Sequence, residues 1–138
     1  MALIQLVYAS QPFGFDTSIL SGILLDARRN NDRDNITGAL IARHDLFLQL
    51  LEGPEDKVEA AYNRIRHDDR HLDVTQLVRR PVTDRMFPGW AMRDDPAHSW
   101  IWTIEQVNDG AIARATEDDV LGFFTRMAEQ GIVPPSGA

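Results

Sequence analysis

Residues 36–53, ITGALIARHDLFLQLLEG, decide the fold. The runs ITGALIAR (36–43) and LFLQLLE (46–52) are rich in β-prone apolar residues, and only His44-Asp45 separates them. That spacing predicts an antiparallel hairpin, closed by the break at Gly53-Pro54. One residue is out of character. Gln49 stands at the centre of the second run, on the face shared by Phe47 and Leu51. A buried primary amide brings donors and an acceptor that must be met, and leaving one unmet costs about 1–3 kcal/mol. Either a polar partner reaches Gln49 or its face is solvated at a sheet edge; spacing alone leaves both open.

Outward from the hairpin, LIQLVYAS (3–10) predicts a first strand. Ile4, Leu6, Tyr8 and Ser10 lie on one face and Gln5, Val7 and Ala9 on the other. After Pro12 and Gly14, Asp16 or Thr17 can cap a helix whose Ile19, Leu20, Ile23, Leu24 and Ala27 recur at helical spacing. This helix is expected to run out into RRNNDRDN (28–35). Beyond the hairpin, Pro54 suits a first helical turn, and Val58, Ala61, Tyr62 and Ile65 make the stripe of a second helix that ends in RHDDRH (66–71). DVTQLVRRPV (73–82) predicts a fourth strand, and a fifth is expected on GWAM (89–92), with Trp90 and Met92 on one face. The order βαββαβ with an added strand is of the α+β class, an antiparallel or mixed sheet with both helices on one face.

Past Pro96 the pattern changes. SWIWTIEQV (99–107) fits a helix or an extended segment, and Thr116 with Asp119 can cap a last helix presenting Val120, Leu121, Phe124 and Met127. That stripe should cover the other sheet face or a second subunit, with GIVPPSGA as a frayed tail. The expected division is a domain over 1–95 and a C-terminal helical extension over 96–138.

A chain of 138 residues with 43% hydrophobic content supports one core. The net charge of -7 argues against a nucleic-acid partner. The absence of cysteine excludes disulfides and thiolate chemistry. Without a leader-like N-terminus or an apolar run of about 20 residues, the expectation is a cytoplasmic protein with no membrane span. His67 and His71 lack a further ligand, so no metal is expected. Ser10, Ser18, Ser21 and Ser99 sit in no nucleophile elbow, and no Ser/His pair is identifiable. No glycine-rich phosphate cradle occurs. The polar clusters Asn30, Asn31, Arg33, Asn35 and His67 to His71 fall at the same end of their helices. They either converge on a cleft, where arginine suits phosphate and amides suit a heterocycle edge, or are two solvated helix ends. Tyr8 and Gln49 could pair across the sheet if strand order and register bring them together. Trp90 and Met92, by spacing alone, read as ordinary core.

Taken together, several motifs resemble a BLUF domain, the flavin-using blue-light sensor. They are Tyr8 with Ser10, Asn31 before Asn35-Ile36-Thr37-Gly38-Ala39-Leu40, Phe47-x-Gln49-x-Leu51-Glu52-Gly53, Asp69-Arg70-His71, and Phe87-x-Gly89-Trp90-x-Met92. The resemblance covers about residues 2–95. It implies a ferredoxin-like fold holding FAD, or else FMN or riboflavin, between the two helices and against the sheet. It places the ring near Tyr8, Asn31 and Gln49, with Gln49 bridging the phenol and the flavin N5/O4 edge. Ile36, Leu40 and Phe47 would supply apolar packing, and Asp69, Arg70 and His71 the polar mouth. It further implies that light draws an electron and then a proton from Tyr8 and rearranges Gln49. Trp90 and Met92, on the fifth strand, would transmit the change. Such a protein is no enzyme; it signals through a downstream protein that the sequence does not name, and a homodimer is compatible with it. The competing reading is a ferredoxin-like small-molecule-binding protein or enzyme without a light response.

Overall fold

The computed structural model describes residues 3–12, 17–96 and 101–129. Its elements in chain order are β1 (Leu3–Pro12), α1 (Thr17–Asp34), β2 (Thr37–Arg43), β3 (Leu46–Pro54), α2 (Glu55–Arg66), β4 (His71–Val82), β5 (Arg93–Pro96), α3 (Ile104–Asn108) and α4 (Glu117–Ala128). The hairpin forms as expected: β2 and β3 pair antiparallel, with Leu40 opposite Gln49. The strands lie in the order β4-β1-β3-β2-β5. β1 runs antiparallel to both β3 and β4, whereas β5 joins β2 in parallel, so the sheet is mixed. This is the α+β, ferredoxin-like arrangement. Gly38 in β2 admits no larger residue, since a Cβ there would lie 1.9 Å from the Leu50 carbonyl oxygen.

Period-2 alternation puts a separate apolar layer on each face of the sheet. One layer joins Ile4, Leu6, Tyr8, Leu40, Phe47 and Leu51 to Ile23 and Leu24 of α1 and Val58 and Ala61 of α2. The other joins Val7, Ala9, Ile41, Leu48 and Leu50 to the stripe Val120, Leu121, Phe124 and Met127 of α4. The C-terminal stripe thus covers the second face of its own sheet. Thr116 caps α4 by accepting a hydrogen bond from the Asp119 amide at 3.1 Å. Of the SWIWTIEQV stretch, residues 104–107 are helical and belong to α3, which a reciprocal capping box between Thr103 and Gln106 starts.

Two expectations are corrected. First, α1 does not end before the polar stretch but continues through it to Asp34, with Asn31 buried on the helix. The run is polar because most of that last turn faces water, not because the helix has stopped. Asn35, at φ 59, then ends it in the left-handed conformation that asparagine tolerates. Second, GWAM is not a strand. Gly89 takes φ 84 in a turn closed by Trp90 N–H donating to the Phe87 carbonyl at 3.2 Å, and pairing with β2 begins only at Arg93. The bend at Ala91 sends the side chains apart: Trp90 packs with the α4 layer and Met92 with the α1/α2 layer. Of the expected cap, Asp16 and the side chain of Thr17 lie outside the described residues, as does the tail GIVPPSGA.

Candidate functional site

The sheet register seats Tyr8 of β1 directly opposite Gln49 of β3. The Tyr8 hydroxyl donates to Gln49 Oε1, and Gln49 Nε2 donates to the Met92 sulfur at 3.3 Å. Tyr8 is 0% and Gln49 2% exposed, so the polar partner demanded by the buried glutamine is a phenol on one side and a thioether on the other. A thioether is a weak acceptor, which leaves much of the amide's donor capacity available to a better one. Burial, reinforced by the charge of Asp68 and by Tyr62, raises the Tyr8 pKa well above its ordinary value, so the phenol stays protonated.

Of these three, Gln49 reaches a cleft of about 180 Å³ between α1 and α2, beside Leu51. Ile23 and Ala27 of α1 and Ala61 and Ile65 of α2 form apolar walls, and Asn30, Asn31 and Gln49 supply amides. Across the rim, Arg70 donates to Asp26 of α1 at 3.0 Å and to Asp68 at 2.6 Å. Those bonds, Asp68's foremost, push the guanidinium pKa up and hold the Asp68 carboxyl below its usual range. His71 opens β4 and is buried, its Nδ1 2.8 Å from Ser10 Oγ, its ring 5.2 Å from Phe47 and 5.9 Å from Tyr8. Burial pushes its pKa down to about 4, with Arg70 acting in the same sense and Asp68 against, so the imidazole is neutral. Apolar walls and three amides fit a flat heterocycle with carbonyl and ring-nitrogen edges, at a rim where Arg64 and Arg70 stand among Asp26 and Asp68.

A family model described as sensors of blue-light using FAD, BLUF, matches residues 3–93. The chain belongs to the BLUF family. Over 74 residues it is 45% identical to the photoactivated adenylate cyclase subunit beta of Euglena gracilis, a match covering 53% of this chain and 9% of that protein. Over 103 residues it is 40% identical to the blue light- and temperature-regulated antirepressor BluF of Escherichia coli (strain K12), covering 71% of this chain and 26% of that one. Among solved structures, the dark state of BlrB, a BLUF protein, superposes with a TM-score of 0.78 at 25% identity, covering 94% of this chain and 97% of that one. The chain therefore spans a small part of the two curated relatives and nearly all of BlrB.

In this BLUF domain Asn31, Gln49, Arg70 and His71 line one cleft, Tyr8 stands behind it bonded to Gln49, and Ile36, Leu40 and Phe47 lie with Tyr8 in the buried apolar layer. Asp69 does not join them; it is exposed, and its neighbour Asp68 lines the cleft instead. Local hydrogen bonding marks that choice: Asp68 Oδ1 accepts from the Arg70 amide at 2.9 Å, an Asx-type turn that aims carboxylate and guanidinium at one another. Trp90 sits on the opposite sheet face from Gln49. The Ser10–His71 contact is a Ser/His pair that sequence reasoning did not find. His67 is directed elsewhere, to the Asn63 carbonyl at 2.8 Å. Sequence reasoning also missed Asp26 and Arg64 at the rim, since single charged residues on helices carry no motif. No helix among the described residues is long and apolar enough to cross a membrane.

Proposed function

We propose that this chain is a blue-light photoreceptor in which Tyr8 is the electron and proton donor and Gln49 the part that rearranges. The observation that carries the reading is the buried chain Tyr8 to Gln49 to Met92. Bound in the α1/α2 cleft, FAD or FMN would supply light absorption and an electron acceptor. Asn31 and Gln49 would hold its polar edge, the buried apolar side chains its flat face, and Arg70 its anionic end.

A phenol can release one electron and one proton and take both back, so the cycle closes without net chemistry. Because Tyr8 resists simple ionisation where it is buried, its proton leaves only with the electron's departure. The Gln49 amide is the group through which that proton is relayed, and its return leaves the amide free to reverse its donor and acceptor ends. Reversal takes the N–H away from the Met92 sulfur, and the strain passes along the segment 90–92 into β5. From there it reaches protein contacts made by the C-terminal helical extension, residues 96–138. We assign no catalytic activity to the chain and place it in the cytoplasm, acting on a downstream protein or a second copy of itself. The near-complete match to BlrB and the antirepressor role named for the Escherichia coli relative support that output.

The test is an absorption spectrum of the purified protein before and after blue illumination. Visible flavin absorption that shifts reversibly to the red is expected; a protein that stays colourless when mixed with flavin, or shows no shift, contradicts the reading. Tyr8→Phe should keep flavin bound while abolishing the normal red-shifting cycle.

A further inference from the structure

The segment that carries Met92 has no strand ladder of its own before Arg93, yet three successive carbonyls in it are held by three different donors. The Trp90 carbonyl accepts from the Gly38 amide at 3.0 Å, that of Ala91 from Asn31 Nδ2 at 2.8 Å, and that of Met92 from Arg28 Nε at 3.1 Å. The last two donors lie one turn apart on α1. Arg28 reaches further and pairs with Asp94 of β5 at 2.8 Å. Asn31 is buried, but the side chains of Arg28 and Asp94 are about half exposed. Outside the clamp, a cavity of about 470 Å³ bordered by Arg28, Asn31, Asp32 and the 89–92 segment gives the backbone space to move into.

We propose that Arg28 is a positioning residue of the switch: through the Met92 carbonyl and Asp94 it keeps the Met92 sulfur against Gln49, and so sets how readily the segment leaves and regains that place. The inference rests on Gln49 and Met92 being the moving contact. Buried Asn31 fixes one carbonyl whatever the solvent, whereas the Arg28–Asp94 end is exposed and so screened by salt. The dark position is therefore tuned by ionic strength although the switch itself is buried.

Two measurements test this. In flavin-free protein, amide hydrogen exchange over residues 89–94 should rise about three- to fivefold in Arg28→Ala, the range an exposed ion pair supports. Arg28→Lys, which keeps the charge, should recover part of the protection. In flavin-loaded protein, thermal recovery from the red-shifted state should be slower in Arg28→Ala and insensitive to salt. Wild type should approach that rate as salt goes from about 0.1 M to about 1 M, where the screening length falls from roughly 10 Å to 3 Å. Asp94→Asn, which leaves the bond to Met92 in place, removes the salt dependence alone and serves if Arg28→Ala does not fold. Wild-type exchange and wild-type salt dependence in these variants would overturn the role of Arg28. A wild-type protein with no red shift would instead defeat the photoreceptor reading, with the exchange data still deciding the clamp.

Discussion

Gln49 and Glu52 sit three residues apart on β3, point to opposite faces of the sheet, and are both buried, yet they are satisfied in opposite ways. Glu52 Oε1 accepts from Gln5 Nε2 at 3.1 Å and the Met86 amide at 2.7 Å. Its Oε2 accepts from Thr37 Oγ1 at 2.9 Å and the Phe87 amide at 2.7 Å. Both carboxylate oxygens are saturated by donors from β1, β2 and the loop after β4, which is how a buried charge is kept. Gln49 has a phenol and a sulfur. A group with four good partners cannot change one without loss, whereas a group with a weak partner can exchange it at small cost. One strand thus carries a staple on one face and a weakly held amide on the other.

The largest expected effect is on the staple. Glu52→Ala leaves the buried Phe87 amide, the part-buried Met86 amide and two side-chain donors without their acceptor, and should cost about 3 kcal/mol or more in urea unfolding. A loss below about 1 kcal/mol would remove the contrast with Gln49.

Next in size is the pH response of the Gln49 side. His71 binds its proton only near pH 4 in the folded chain, against 6.5 for an ordinary histidine. Between those values the unfolded chain holds a proton that the folded one lacks, so stability rises with pH. On acidification it should fall by up to about 1.4 kcal/mol per pH unit through that window and hold steady above it. Urea midpoints across pH 4 to 7 read this out, and His71→Phe should flatten the slope; an unchanged slope would show that another group sets it.

The smallest expected change in stability is at the partner of Gln49. Met92→Leu keeps the volume and removes the sulfur, so stability should move by less than about 1.5 kcal/mol. The recovery rate of the red-shifted state should change nonetheless, because the amide loses the acceptor to which it returns. An unaltered rate in a stably folded variant would show that Met92 is mere packing.

Much of this was legible in the residues. Period-2 alternation grouped Tyr8 with Ile4 and Leu6, and Gln49 with Phe47 and Leu51, but β3 is buried on both faces, so alternation did not say that the two groups share one face of the sheet. Their direct opposition needed the register. The length of α1 was not legible: a helix turn that faces water is as polar as a loop, and RRNNDRDN has no apolar period to tell them apart. GWAM looked like a strand because its turn depends on the positive φ of Gly89, which composition does not reveal. The choice of Asp68 over Asp69 depends on a local turn. Glu52 with Met86 and Arg28 with Met92 are long-range contacts that no local pattern announces.

The central claim is that Gln49 is the group that rearranges and that the Met92 segment follows it. Its most direct measurement is the light-minus-dark absorption spectrum of Gln49→Leu beside that of wild type, both loaded with flavin to the same extent. Wild type should show a reversible red shift and Gln49→Leu none, with the flavin still bound and the fold intact. A reversible red shift of wild-type size in Gln49→Leu would contradict the account.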